Sequence, residues 1–344
     1  MSGSSQFRLL GQRRFAPFFA TQFLGALNDN IFRNGLVILI TFQGVIVAGM
    51  DHTQLANVAA GLFILPYLLF SASAGQLADK YEKSMLIRRV KVMEIVLMML
   101  AAVSLTTESY SLLLLVLFLM GCQSTIFGPV KYAYLPQKLA DDELVGGNAL
   151  VESGTYIAII VGLIVGGIAV GDEIALGFDV TRQTVLGACL ILVALAGYAT
   201  SLQVPKTAAV DPTLRFNWNA WQETWRIIRY AREDRSVFLS ILGISWFWFF
   251  GSAMTIQIPA YTLDILNGDE AITTTLLAAF AIGVGIGSLL CERMSGHRIE
   301  LGLVPFGSIG LSLFAVDLYF AQPDAHSVPA SSIIEFLQRS GSWR

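Results

Sequence analysis

The chain is 344 residues long, with a formal net charge of −3, 55% hydrophobic residues and 14% charged residues. Its mean hydropathy of +0.64 and a charge content well below the usual quarter of a soluble domain exclude an ordinary soluble protein; they predict an all-helical integral membrane protein. A charge this near neutrality marks no nucleic-acid partner. Cys122, Cys189 and Cys291 sit singly in apolar runs, without the spacing of a disulfide framework or a metal site.

A helix needs roughly 20 mainly apolar residues to cross a bilayer. Hydropathy places spans near 15–42, 55–77, 90–106, 111–129, 148–170, 184–203, 237–260, 271–291 and 301–321. Arg8, Arg13 and Arg14 precede an apolar run too long for a signal peptide, so the first stretch is expected to remain as a span.

That first span reads QFLGALNDNIFRNGLVILITF, and its polar centre conflicts with its apolar flanks. Its Leu, Ile, Phe and Val residues favour insertion by roughly 4 to 8 kcal/mol, whereas Asp29 and Arg33 return about 5 to 7. Such a helix cannot face lipid on every side. At 100° per residue Gln22, Asp29 and Arg33 share an arc of about 40°, while Asn28 and Asn34 fall off it. Asp29 precedes Arg33 by four residues, the favourable order for an ion pair.

Further along, GQLADKYEK closes the second span with Gly75, Asp79, Lys80, Glu82 and Lys83. The fifth span presents Asn148, Glu152 and Tyr156 at helical spacing, with Glu152 either a charge in a cavity or a gating contact. Gly162, Gly166, Gly167 and Gly171 follow, a small-residue pattern for close packing or for a sliding surface. Glu94 and Asp317 fall nearer predicted helix ends and receive no role.

Between the sixth and seventh spans, NWNAWQETWRIIRYARED repeats Trp218, Trp221, Trp225 and Ile228 at helical spacing beside four arginines. It reads either as an amphipathic helix on a membrane surface or as a solvated tether. On the seventh span, Trp246 to Phe250 are consecutive aromatics, divided between lipid and interior. They form an interfacial belt or a lateral opening for an acyl chain.

Basic residues orient the chain. Arg8, Arg13 and Arg14, then Lys80, Lys83, Arg88, Arg89 and Lys91, then Lys131 and Lys138, then six between Lys206 and Arg235, then Arg293 and Arg298 fall on one side. Only Arg182 falls between spans on the other. The N-terminus is therefore expected in the cytoplasm.

The loop GQLADKYEK resembles the signature between the second and third spans of the major facilitator superfamily, with Glu82 in place of its second glycine. FLGALNDNIFRN, FGPVKYAYLPQ, NALVESGTYIAIIVG and SWFWFFGS together resemble the lysophospholipid transporter branch of that superfamily. The resemblance implies a six-helix N-terminal half at 1–203, a cytoplasmic linker at 204–236 and a partial C-terminal half at 237–344. That makes about nine of twelve spans; SSIIEFLQRSGSWR resembles the approach to a tenth helix, so the chain is expected to be part of a longer protein.

The resemblance further implies transport of lysophospholipids across the bacterial inner membrane towards the cytoplasmic leaflet for reacylation, by rocking of two halves around a mid-membrane cavity. Gln22, Asp29, Arg33 and Glu152 are then the candidate substrate-binding residues. A zwitterionic head group would offer phosphate to Arg33 and an amine to Asp29; the alternative is a structural pair holding the first helix to a neighbour. Gly75, Asp79, Lys80 and Lys83 are the candidate gating residues, with Asp79 either a latch between the halves or a helix-capping acid. Some relatives of this branch are fused to an acyltransferase and a ligase. The chain itself has no H-x-x-x-x-D dyad, phosphate loop, zinc motif or other cofactor signature. Two other readings remain open, a carrier of a soluble solute and a membrane anchor for acyl-transfer enzymes.

Overall fold

In the computed structural model, residues 6–42, 45–170, 182–294 and 302–320 are described. Nine long helices lie among them, α1 (Ala16–Phe42), α2 (His52–Lys80), α3 (Lys83–Thr106), α4 (Tyr110–Lys138), α5 (Asp141–Val170), α6 (Arg182–Ser201), α8 (Arg235–Asp264), α9 (Glu270–Met294) and α10 (Leu303–Phe320). A tenth, α7 (Ala220–Ala231), occupies the linker. Six of the long helices are long and apolar enough to cross a membrane by length and composition alone. Gly171, Arg298 and the segment 331–344 lie outside the described residues.

Several helices overrun the hydropathy bounds at their polar ends. α3 begins at Lys83 rather than near residue 90, because the Glu82 carboxylate caps it by accepting from the N–H groups of Ser84 (2.9 Å) and Met85 (3.1 Å). Lys91 therefore stands two turns inside α3 instead of in a connection. α4 likewise runs on to Lys138, placing Lys131 and Tyr132 on a helix.

The first six helices form one bundle, with α1 against α5 and α6, α2 against α4, and α3 against α4 and α6. A Cβ at Gly166 would stand 2.9 Å from the Ile31 carbonyl oxygen, and one at Gly162 would stand 2.8 Å from Asn30 Cβ. At Gly162 and Gly166 the absence of a side chain thus permits close approach of α5 to α1. Beyond α6, α9 packs on α5, α8 touches α1, α2 and α9, and α7 packs on α2. At the end of the bundle away from the α2–α3 turn, His52 Nε2 lies 3.3 Å from Asp264 Oδ2, and Gln257 donates to Asn57 Oδ1 at 3.1 Å.

Two apolar cores hold the bundle. One gathers Phe32, Leu36 and Leu39 with Met98, Leu117 and Leu190; the other gathers Phe15, Phe18, Ile87, Tyr134 and Val151 at the end bearing the α2–α3 turn. Phe18 stacks on Tyr134 with ring centroids 4.4 Å apart. On α8 the expected division of aromatics is slight, with Phe250 alone half-buried. Trp246, Phe247, Trp248 and Phe249 are all exposed, since α8 buries residues only near its far end, at Pro259, Ala260 and Thr262.

Candidate functional site

Between the two cores lies a layer of polar side chains, contributed at matching heights by four helices. On α1, Gln22 to Asp29 fall between Phe18 and Ile31; on α3, Lys91 and Glu94 fall between Ile87 and Leu97; on α4, Gln123 and Ser124 fall between Met120 and Val130. Tyr67 of α2 joins them. Polar atoms buried between apolar cores need partners; most find them within the layer, and Asn28 Oδ1 is left without one.

Glu94 is the hub, although hydropathy had put it near a helix end. Its Oε2 accepts from Lys91 Nζ at 2.6 Å and from Gln123 Nε2 at 3.2 Å, and its Oε1 accepts from Asn28 Nδ2 at 3.1 Å. Asn28 thus belongs to the layer despite lying off the predicted arc; Gln22 and Asp29 of that arc line the cavity, while Asn28 faces α3. The Lys91 ammonium fits only because residue 25 has no side chain, as a Cβ at Gly25 would stand 2.6 Å from Nζ.

A cavity of about 270 Å³ opens in this layer, and its walls include Gln22, Asp29, Tyr67, Lys91, Ser124 and Lys131. Asp29 Oδ2 accepts from Ser124 Oγ at 2.7 Å. Gln22 is held by α5, donating to the Val151 carbonyl at 3.2 Å and accepting from Thr155 Oγ1 at 3.2 Å.

The other two candidate binding residues sit apart from the cavity wall. Arg33 turns back along α1 to donate to Asn30 Oδ1 at 2.8 Å, and its guanidinium lies 5.5 Å from the Phe63 ring centroid. It forms no ion pair with Asp29, which Ser124 holds instead. Glu152 accepts from Tyr132 Oη at 2.6 Å and lies 3.5 Å from Lys131 Nζ. It reaches the cavity through Lys131.

Sequence reasoning missed Lys91, Glu94, Gln123 and Ser124. The available signal was the i, i+3 spacing of Lys91 and Glu94 on a helix otherwise apolar beyond Val90.

The candidate gating residues meet the linker. The Asp79 carbonyl accepts from the N–H groups of Val210 and Asp211, both at 3.0 Å, while its carboxylate is exposed. Capping of α3 falls to Glu82, whose Oε1 also accepts the Thr207 N–H at 2.8 Å. Burial would raise the Glu82 carboxyl, but hydrogen bonds from Ser84, Thr207 and Met85 outweigh it and hold the group below its ordinary range. Lys83 is buried, donating through its backbone N–H to Thr207 Oγ1 at 3.1 Å. Lys80 stands 6.0 Å over the Tyr81 ring, and Gly75 has open space where a Cβ would project. Glu82 at the glycine position therefore ties the linker to the α2–α3 turn.

A membrane bundle with a polar layer at mid-height, joined through a strapped linker to further helices, has the plan of a secondary transporter. The family model of the Major Facilitator Superfamily matches residues 17–337, and the chain belongs to that superfamily.

Within it, the chain is 27% identical over 309 residues to the lysophospholipid transporter LplT of Escherichia fergusonii, covering 87% of this chain and 70% of that protein. LplT of Enterobacter sp. is 26% identical, over 86% and 71% of the two chains, and LplT of Yersinia pestis 24%, over 91% and 73%. The similarity runs along nearly the whole chain, as the resemblance to that branch implies.

Proposed function

We propose that the chain carries lysophospholipids across the bacterial inner membrane towards the cytoplasmic leaflet, where they are reacylated. The cavity at mid-height supports this reading best. It offers a carboxylate, Asp29, and an ammonium group, Lys131, to a ligand of mixed charge, and the chain's relatives carry the name of lysophospholipid transporter.

The amine of a zwitterionic head group pairs with Asp29. Its phosphate pairs with Lys131, which lines the cavity, rather than with Arg33, which does not. Lys91 contributes positive potential while remaining bound to Glu94. The N-terminus and the α2–α3 turn face the cytoplasm in this account, and the second half rocks against the first across α5 and α9. An acyltransferase, fused or separate, consumes the delivered lysolipid.

The test is inward movement of labelled lysophosphatidylethanolamine in proteoliposomes, read as protection from extraction by albumin. Lysolipid is expected to become protected while soluble glycerophosphoethanolamine stays outside. Uptake of the soluble compound alone would favour a soluble-solute carrier. Movement of neither would favour an anchoring role.

A further inference from the structure

We infer that α7 is an interfacial helix that docks on the phosphates of an anionic lipid leaflet, through Trp218, Trp221 and Trp225 together with Arg226, Arg229 and Arg232. This surface is separate from the transport cavity, and the inference holds whatever the cargo.

Connectivity fixes the height of both ends of α7. Before its first turn, the Asn217 N–H donates to Gln76 Oε1 at 2.7 Å and the Asn217 carbonyl accepts from Gln76 Nε2 at 3.4 Å. Gln76 lies one turn from the end of α2. Past its last turn only Arg232, Glu233 and Asp234 intervene before α8, which Asp234 caps by accepting from the Ser236 N–H at 2.8 Å. α2 and α8 both have the length and apolarity of membrane spans. A 12-residue helix tied at both ends to the level where these spans emerge lies along the membrane surface.

Its faces are sorted accordingly. Ala220, Thr224, Ile228 and Ala231 are half-buried, and Glu223 is buried, held by Arg226 and by Asn217 Nδ2 at 3.2 Å. Trp221 and Trp225 project from the flank, 61% and 46% exposed with ring centroids 6.2 Å apart, and Trp218 is 88% exposed. Three tryptophans open to water within eight residues are costly, whereas indole rings are at home at the level of lipid head groups.

Charge decides which surface they meet. Arg215, Arg226, Arg229, Arg232 and Arg235 are exposed. Among the nearby acids, Glu223 is buried against Arg226, Asp234 is occupied as a cap and Glu233 alone is exposed and uncommitted, so the arginines remain in excess. Such an excess complements an anionic leaflet. A soluble acidic protein could match the charge, but it would not be held at membrane level at both ends of the helix.

The test uses the chain in nanodiscs of phosphatidylcholine alone or mixed with phosphatidylglycerol. In a variant keeping Trp225 as its sole tryptophan, emission is expected to be quenched by shallowly brominated phosphatidylglycerol at least about twofold more than by brominated phosphatidylcholine. Adding Arg226→Gln, Arg229→Gln and Arg232→Gln is expected to equalise the two lipids. The wild-type chain supplies a second readout that needs no tryptophan removal, since trypsin cleavage at Arg226 and Arg229 is expected to slow in the phosphatidylglycerol discs. Water-like emission without quenching, equal quenching by both lipids with the arginines present, or equal cleavage in both discs would overturn the inference.

Discussion

Lys91 Nζ lies 2.6 Å from Glu94 Oε2 with both side chains sealed from solvent, one turn apart on α3 and level with Asp29 of α1. The pair converts two charges that hydrocarbon would reject into one compact dipole. Gln123 and Asn28 bind the carboxylate from α4 and α1, so the dipole also fixes three helices in register.

Breaking this pair exposes its cost. Glu94→Gln leaves the Lys91 ammonium buried without a counter-charge and is expected to destabilise the bundle by about 3 to 5 kcal/mol. The double change Lys91→Met with Glu94→Gln is expected to recover much of that loss. Unfolding midpoints in detergent for the two singles and the double form the cycle that checks it.

Asp29 and Arg33 share an arc of the helical wheel but separate in their partners, which yields opposite expectations. Asp29→Asn removes the proposed partner of the head-group amine, worth about 1.5 to 3 kcal/mol for a charge-assisted hydrogen bond, or roughly ten- to hundredfold in affinity. Lysophosphatidylethanolamine should weaken by that factor, while lysophosphatidylglycerol, which lacks the amine, should change little. Arg33→Gln is expected to act on stability, through Asn30 and Phe63, more than on head-group preference. Competition binding with the two lysolipids separates these outcomes.

Gly166 supports packing of α5 on α1 through the absence of a side chain. Gly166→Leu pushes a branched chain into the Ile31 carbonyl and is expected to cost about 1 to 3 kcal/mol by overpacking. Thermal aggregation of the detergent-purified variant should begin at lower temperature, whereas the same substitution at Gly61, which faces open space, should be tolerated.

The strap between Glu82 and the linker carries a pH signature. Because hydrogen bonds depress the folded-state carboxyl below its unfolded value, the associated stabilisation is fully present above the unfolded pKa. It is lost as pH falls through the depressed folded value, in the acid range below 4.5. The protection of the Thr207 amide, taken as observed exchange relative to the intrinsic rate at each pH, should therefore be high at neutral pH and fall under acid conditions. Glu82→Gln should speed exchange at neutral pH and flatten the pH response.

The helices were legible in sequence because hydrocarbon demands long apolar runs, and the candidate inward face of α1 was legible because Asp29 could not face lipid. Their polar ends were less so, since Glu82 and Lys131 look like loop residues until a cap or a cavity partner is seen. Glu94 was misjudged for a related reason. Hydropathy scores a charge singly and cannot see that Lys91, Gln123 and Asn28, the last two on other helices, will satisfy it. The predicted ion pair of Asp29 with Arg33 failed on the same ground, since Ser124 of α4 and Asn30 supply the nearer partners.

The head group is proposed to reside in the polar layer. The most direct measurement is photo-crosslinking of a lysophospholipid carrying its diazirine in the head group, followed by mass-spectrometric mapping of the adducts. Adducts are expected on the cavity wall, in the stretches around Asp29 and from Gln123 to Tyr132, and are expected to diminish in Asp29→Asn. Labelling confined to the exposed aromatics of α8, unchanged by that substitution, would contradict the account.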